Sequence, residues 1–238
     1  MSEKPRTFYG IYCIALFLPL AISALILTLI MPGIRNRRAV ARHGSRLFLK
    51  AAGVPLNVVG LERLPACPCV VVANHASYLD GVVVAAALPP EFAFVIKKEM
   101  IRVPVASLLL RRIGSEFVER FDRHKGAVDA RRVLKSAANG QSVVFFPEGT
   151  FTARRAIGKF HGGAFATAAR NKMPIVAVVV RGTRDAMPSG SLMMRRVPVE
   201  VEVLAVFDPA DVARTAAGDV RHRVRALIAA AVGEALHE

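Results

Sequence analysis

The sequence contains no tryptophan, and only 7% of its 238 residues are aromatic, so the stacking platforms on which single-stranded nucleic acid lies are poorly supplied. It is also short of acid: 33 Lys and Arg stand against 18 Asp and Glu, a net charge of +15. Such a balance suits nucleic acid or anionic lipid, and the scarcity of aromatics favours lipid. Cysteine is scarce too. Cys13 lies in an apolar run, and Cys67 and Cys69 form a Cys-Pro-Cys too tight for an ordinary disulfide or zinc framework; all three read as buried thiols in a reducing compartment. There is no Gly-x-Ser-x-Gly elbow and no His-Glu-x-x-His pair, which argues against a serine hydrolase or a helical zinc site. No internal repeat, low-complexity tract or linker interrupts the chain.

Apolar residues are abundant, at 53%, with a mean hydropathy of +0.40, high for a purely soluble protein. Residues 8–31, "FYGIYCIALFLPLAISALILTLIM", carry no charge over 24 positions. A helix of that length rises about 36 Å, enough for a bilayer core of about 30 Å. The run is too long for a signal peptide and leads into basic residues rather than a cleavage site. Pro19 leaves two arrangements, one kinked span or two short helices dipping into one leaflet. Residues 1–61 hold eight Lys or Arg and a single acid, Glu3. Arg38, Arg42, Arg46 and Lys50, spaced by four, form one stripe on a helix, expected to lie on anionic headgroups. The positive-inside rule puts this flank and the domain after it on the cytoplasmic side of the inner membrane. The expected division is a membrane anchor with a basic amphipathic segment, 1–52, and a second domain, 53–238.

In that second domain the aliphatic runs 69–73, 142–146 and 174–180 read as buried strands. Residues 78–88, 104–113, 124–138 and 162–171 have helical character. "VPVEVEVLAV" (197–206) alternates and suggests a sheet edge or half-exposed strand, and 209–236 a closing helix or pair. Alternation of strands and helices predicts an α/β fold with a largely parallel, covered sheet. In such sheets ligands gather where the chain leaves the C-terminal ends of strands. The first run exits into Asn74-His75 and the second into Pro147-Glu148-Gly149-Thr150. If those strands are neighbours, His75 and Glu148 face one cavity.

"NHASYLD", residues 74–80, admits two readings. Ser77-x-x-Asp80 before an apolar run matches a helix capping box. Alternatively His75 lies in the loop before that helix, Asp80 contacts one ring nitrogen, and the other nitrogen serves as a base. Five residues of helix turn through about 500°, so the two side chains meet only if His75 is not helical.

Taken together with "FFPEGT", residues 145–150, these positions resemble the PlsC-type family of membrane acyltransferases, which includes the 1-acylglycerol-3-phosphate acyltransferases. The family's Asn-His-x4-Asp motif appears as Asn74, His75 and Asp80. Its second region is similar to residues 97–120, ending in Arg120, its third to Phe146-Pro147-Glu148-Gly149-Thr150, and its fourth to 174–183. The resemblance implies a glycerolipid acyltransferase-like α/β fold with a mixed, largely parallel sheet covered by helices, behind an N-terminal membrane-embedded helical segment. It implies that His75 takes the proton of an acceptor hydroxyl attacking an acyl thioester, with Asp80 orienting the ring. By the same resemblance Arg120 binds the acceptor phosphate, and Asn74, Glu148, Gly149 and Thr150 contact substrate, the Gly149 amide facing the oxyanion; for Glu148 the alternatives are binding acceptor hydroxyls and holding the loop. No metal or resident cofactor is implied. The partners would be the bilayer with its anionic headgroups, a lysolipid acceptor and acyl-CoA or acyl carrier protein, with no nucleic acid. Many members follow Glu-Gly-Thr with Arg where this chain has Phe151, which leaves open an acceptor such as a lyso-aminolipid; Arg154, Arg155, Lys159 and His161 are candidate substitutes. Rival readings are a metal-dependent hydrolase using His75, Asp80 and Glu148, and a non-catalytic lipid binder.

Overall fold

The structure is a computed structural model that describes residues 3–119, 123–210 and 217–237. The apolar run forms one helix, α1 (Glu3–Ile30), which Pro19 does not interrupt, so of the two arrangements the continuous helix is the one found. Its window Thr7–Ile30, with mean hydropathy 2.7, is long and apolar enough to cross a membrane by length and composition. After Pro32, Gly33 adopts φ 78°, a left-handed conformation open to glycine. From there α2 (Ile34–Ala51) runs back along α1. Phe17 meets Phe48 edge-on at 5.1 Å, and the Tyr9 hydroxyl donates to the Ala52 carbonyl at 2.7 Å.

The basic stripe of α2 is divided: Arg38, expected to lie on headgroups, is turned inward, whereas Arg46 and Lys50 stay exposed. Arg38 is buried and donates to the carbonyls of Ile113 and Glu91, both at 2.9 Å. Arg46 donates to Ala86 O at 2.7 Å. The Ala86 and Ile113 carbonyls end α3 (Asp80–Ala87) and α4 (Pro104–Arg112), where helices leave acceptors unpaired and favour a cation. Satisfying those carbonyls outweighs reaching for lipid; Lys50, at the last turn, remains exposed and without such a role. Arg38→Ala should therefore lower unfolding stability by about 1–3 kcal/mol by orphaning buried carbonyls, whereas Lys50→Ala should change it by less than about 0.5 kcal/mol; denaturant titration of the two variants checks this.

Seven strands make the main sheet: β1 (Leu56–Val59), β2 (Val70–Ala73), β3 (Phe92–Lys97), β4 (Glu116–Val118), β5 (Ser142–Phe145), β7 (Ile175–Arg181) and β8 (Val199–Phe207). Their order is β1-β8-β7-β2-β5-β3-β4. Among the described residues only the β7–β8 pairing is antiparallel, which gives the largely parallel mixed sheet that was expected. A separate two-stranded pair joins β6 (Ala156–Ile157) to β9 (Ala235–Leu236). Of the two readings of its alternation, edge or half-exposed strand, β8 is the second: it lies between β1 and β7 with one face buried and one partly exposed. Val199, Val201 and Val203 enter the core, while Glu200 and Glu202 on the other face pair with Arg181. Its alternation thus reports one polar face, not an unpaired edge.

Period-two side-chain direction splits the central strands between two cores. Val71, Ala73, Val144, Val176 and Val178 pack with α3 and with Phe48 and Leu49 of α2. Val70, Val72, Val143, Ile175 and Ala177 pack against α5 (Arg123–Ala138), α6 (Gly163–Asn171) and α8 (Ala217–Val232). The two-helix N-terminal segment shares the first of these cores. All three cysteines are free; Cys13 and Cys69 are buried as expected, but Cys67 is exposed, because its Pro-flanked turn precedes β2 instead of joining it.

Candidate active site

Strands β2 and β5 are parallel neighbours, with Val72 opposite Phe145, so the polar clusters that follow them emerge side by side. Asn74 leaves β2 first. Its amide nitrogen donates to Val180 O at 2.9 Å and its oxygen accepts from Val180 N–H at 2.8 Å. Both polar atoms therefore tie the end of β2 to the end of β7. The buried amide thus takes both of its partners from the backbone, a structural tie where a substrate contact was expected.

His75 follows outside any helix. Its Nδ1 lies 2.8 Å from Asp80 Oδ2, and since a carboxylate only accepts, the hydrogen sits on Nδ1 and Nε2 is left as the basic nitrogen. The same Asp80 oxygen accepts from the N–H groups of Ala76, at 2.6 Å, and Ser77, at 2.8 Å. Asp80 is completely buried, and its other oxygen, Oδ1, has no hydrogen-bond partner among the described residues. The capping-box reading holds in half: Asp80 takes the Ser77 N–H at 2.8 Å, but Ser77 Oγ accepts from Leu79 N–H at 3.1 Å and not from the Asp80 N–H, and Leu79 is the residue that precedes α3. The Asp80 carboxylate at the head of α3 thus binds the turn before the helix and the imidazole together. Ser77 Oγ donates to Met187 O at 2.7 Å and is buried, which leaves it no nucleophilic role.

Glu148 reaches across from the end of β5. Its Oε1 accepts from His75 N–H and its Oε2 from Gly158 N–H, each at 2.7 Å. The carboxylate clamps the His75 backbone to the 147–158 loop. Burial pushes its pKa above the usual carboxylate range, partly opposed by the two N–H bonds and by His75. An acid raised in the folded state binds protons that the unfolded chain has released, so stability falls as pH rises from the ordinary carboxylate value towards the raised one. Glu148→Gln should abolish that slope while removing one acceptor; urea midpoints from about pH 4 to 7 measure both effects.

The Gly149 amide, expected to face an oxyanion, donates to Phe146 O at 3.0 Å. The turn satisfies its own donor, so this amide is no oxyanion ligand as it stands. Gly149 has φ 78°, and Thr150 is exposed beyond it. Of the candidate phosphate substitutes, Arg154 bonds His237 and Arg155 pairs with Asp185, while Lys159 and His161 are exposed. Arg120 lies outside the described residues; Glu116, four positions before it, bonds Arg132 at 2.8 Å and Ser136.

Aromatic residues surround the imidazole. Phe146 stacks on it at 4.7 Å, Phe151 meets it edge-on at 4.6 Å, and Tyr78 meets Phe151 at 4.8 Å. Neither Tyr78 nor Phe146 was anticipated as part of the site; the signal available was aromatics flanking Pro-Glu-Gly-Thr and beside Leu79-Asp80. A cavity of about 390 Å3 runs from His75 between α1, α2, α3, β3 and α4, lined by apolar side chains such as Phe17, Leu20, Phe48, Val82 and Leu109. A second cavity, about 420 Å3, lies behind Pro147 and Gly149, with Glu119, His161 and Arg170 on its wall. Among the described residues no group of His, Cys, Asp or Glu is arranged to hold a metal ion.

A family model described as Acyltransferase matches residues 55–181. The chain is 32% identical over 162 residues to a chloroplastic 1-acyl-sn-glycerol-3-phosphate acyltransferase of Brassica napus, covering 66% of this chain and 47% of that protein. It is 30% identical over 141 residues to the lyso-ornithine lipid O-acyltransferase of Pseudomonas aeruginosa, covering 58% and 52%. It thus spans about half the length of these curated relatives. The fold matches the crystal structure of the 1-acyl-sn-glycerophosphate acyltransferase PlsC of Thermotoga maritima with TM-score 0.77 and 21% identity, covering 97% and 95% of the two chains.

Proposed function

Because the chain belongs to the Acyltransferase family, we propose that it transfers an acyl chain from an acyl thioester, of coenzyme A or acyl carrier protein, to the free hydroxyl of a lysolipid. The proposed acceptor is 1-acylglycerol-3-phosphate, giving phosphatidate. One observation carries the reading: a histidine whose Nδ1 is held by a fully buried aspartate lines the mouth of an apolar cavity.

In this mechanism Nε2 of His75 takes the acceptor hydroxyl proton as the oxygen forms a bond to the thioester carbonyl carbon. Asp80 fixes the ring and stabilises the imidazolium. The carbon–sulfur bond then breaks, and the departing thiolate recovers the proton from the imidazolium. A thioester is already activated, so no acyl-enzyme and no cofactor is needed. The cavity, within the ~300–1,000 Å3 of small-molecule sites, suits an alkyl chain whose reacting end sits at His75.

The N-terminal helix belongs to the same function. Tyr9 near its start donates to Ala52 O, and Arg112 of α4 donates to Thr28 O at 2.7 Å near its end. These tethers are about 28 Å apart along the axis. A helix fastened at both ends to an α/β domain cannot cross a bilayer without drawing that domain in. We therefore assign α1 a position within one leaflet, its exposed apolar face in lipid, on the cytoplasmic side of the inner membrane.

Arg120 is proposed to bind the acceptor phosphate. A second reading, a phosphate-free acceptor such as a lyso-aminolipid, draws on Phe151, an aromatic ring packed on His75, and on the lyso-ornithine relative. Transfer from a labelled thioester to a panel of micellar lysolipids separates the two. On the first reading Arg120→Ala lowers transfer to phosphate-bearing acceptors by roughly 10- to 100-fold, the equivalent of losing a charge-assisted hydrogen bond, and spares the rest. On the second, phosphate-free acceptors are the better substrates and Arg120→Ala changes little.

A further inference from the structure

We infer that the connection between α7 (Thr183–Ala186) and β8 carries a second membrane-contact element, Leu192 and Met193, with Arg195 at its rim. The inference rests on the membrane position proposed for α1. Leu192 is 61% and Met193 38% exposed, whereas the next residue, Met194, is 2% exposed and sits in the core. The segment is fastened as well as plugged: Arg195 N–H donates to Ala186 O at 2.7 Å, Met193 N–H to Ser191 Oγ at 3.0 Å, and Arg196 Nε to Gly53 O at 2.9 Å. Leu192 is thus held outward by a braced backbone, at the desolvation disadvantage that water imposes, with Met193 partly exposed beside it.

Their neighbour identifies the occupant. A Cβ placed on Gly10 would lie 2.6 Å from Met193 Sδ and 3.1 Å from Met193 Cβ, so the backbone of α1 rests directly on this segment. Leu192 and Met193 therefore continue the exposed apolar face of α1, which includes Phe8, Ile11 and Leu18. Beside them Arg195 is exposed and makes no side-chain hydrogen bond or ion pair among the described residues. An apolar pair flanked by a free cation matches an anionic bilayer surface, with the alkyl side chains below the headgroups and the guanidinium among them. One helix would let the domain roll about the helix axis; a second contact off that axis fixes the roll, and with it the orientation of the cavity towards the lipid.

The absence of tryptophan makes the test direct. Leu192→Trp, Leu18→Trp on α1, and Val206→Trp on β8 each create a single reporter at a partly exposed site. Each full-length variant is mixed with phosphatidylcholine–phosphatidylglycerol vesicles whose acyl chains are brominated. The expected result is a blue shift and quenching for Leu192→Trp comparable to that of Leu18→Trp, with Val206→Trp unchanged. Arg195→Glu in the Leu192→Trp background should reduce that quenching several-fold. Quenching of Leu18→Trp without Leu192→Trp overturns the second contact and leaves the α1 assignment standing; quenching of neither overturns both. A blue shift that follows protein concentration without vesicles assigns the surface to a second copy of the chain and likewise overturns the proposal.

Discussion

Replacing His75 by Ala is expected to lower acyl transfer by about 10^2- to 10^4-fold, the range for removing a positioned general base, with little change in folding. The expectation of a sound fold comes from the hydrogen bonds: without the imidazole, Asp80 Oδ2 still accepts from Ala76 and Ser77, and the clamp on Glu148 uses the backbone of residue 75, not its ring. Thermal unfolding of His75→Ala should therefore stay near that of the wild type while turnover collapses. Transfer within tenfold of the wild type would mean that the imidazole is not the base, and that residues 74–80 serve only to start α3.

Asp80 should behave differently, because it serves the fold as well as the chemistry. Asp80→Ala removes the acceptor of three hydrogen bonds and leaves two buried backbone N–H groups unpaired. At about 1–3 kcal/mol each, the loss is roughly 2–6 kcal/mol, a large part of a typical stability of about 5–15 kcal/mol. Asp80→Asn separates the two roles. Its amide oxygen can still accept from Ala76, Ser77 and His75, but the NH2 group falls where Oδ1 now has no hydrogen-bond partner among the described residues, and the negative charge that stabilises the imidazolium is gone. Stability should fall by about 1–3 kcal/mol and transfer by roughly 10^2-fold or more. Urea unfolding and turnover, measured on both variants, should rank Ala as the less stable and both as nearly inactive. An Asn variant of wild-type activity would show that the charge of Asp80 contributes nothing to the reaction.

The chemistry was the most legible part of the sequence. The spacing in residues 74–80 allowed a contact between His75 and Asp80 only with His75 in a loop, and that is the arrangement found. Apolar runs ending in polar residues placed β2 and β5 correctly; their adjacency, which the sequence left as a condition, is what the sheet supplies. Strands β1, β3 and β4 were missed: "LNVV" and "EFV" are very short and each carries a polar residue, and "FAFVIK" runs on into Lys98 with no turn residue to end it. The roles of Asn74 and Gly149 differ from those expected for one reason: a residue beside a catalytic group is read as a ligand contact until its backbone partners are known. The stripe of α2 shows the same limit in electrostatics. A basic helix face after an apolar run is indistinguishable in sequence from one whose guanidinium groups cap the carbonyl ends of two other helices.

The central claim is acyl transfer to a lysolipid hydroxyl, and product analysis of the wild-type protein tests it most directly. Vesicles containing 1-acylglycerol-3-phosphate or a lyso-aminolipid are incubated with an acyl thioester labelled in the acyl chain, and the lipids are separated. The predicted result is label in the diacylated lipid, ester-linked at the formerly free hydroxyl, with release of one thiol per product. Label appearing only as free fatty acid, or no consumption of thioester with any acceptor, would contradict the account.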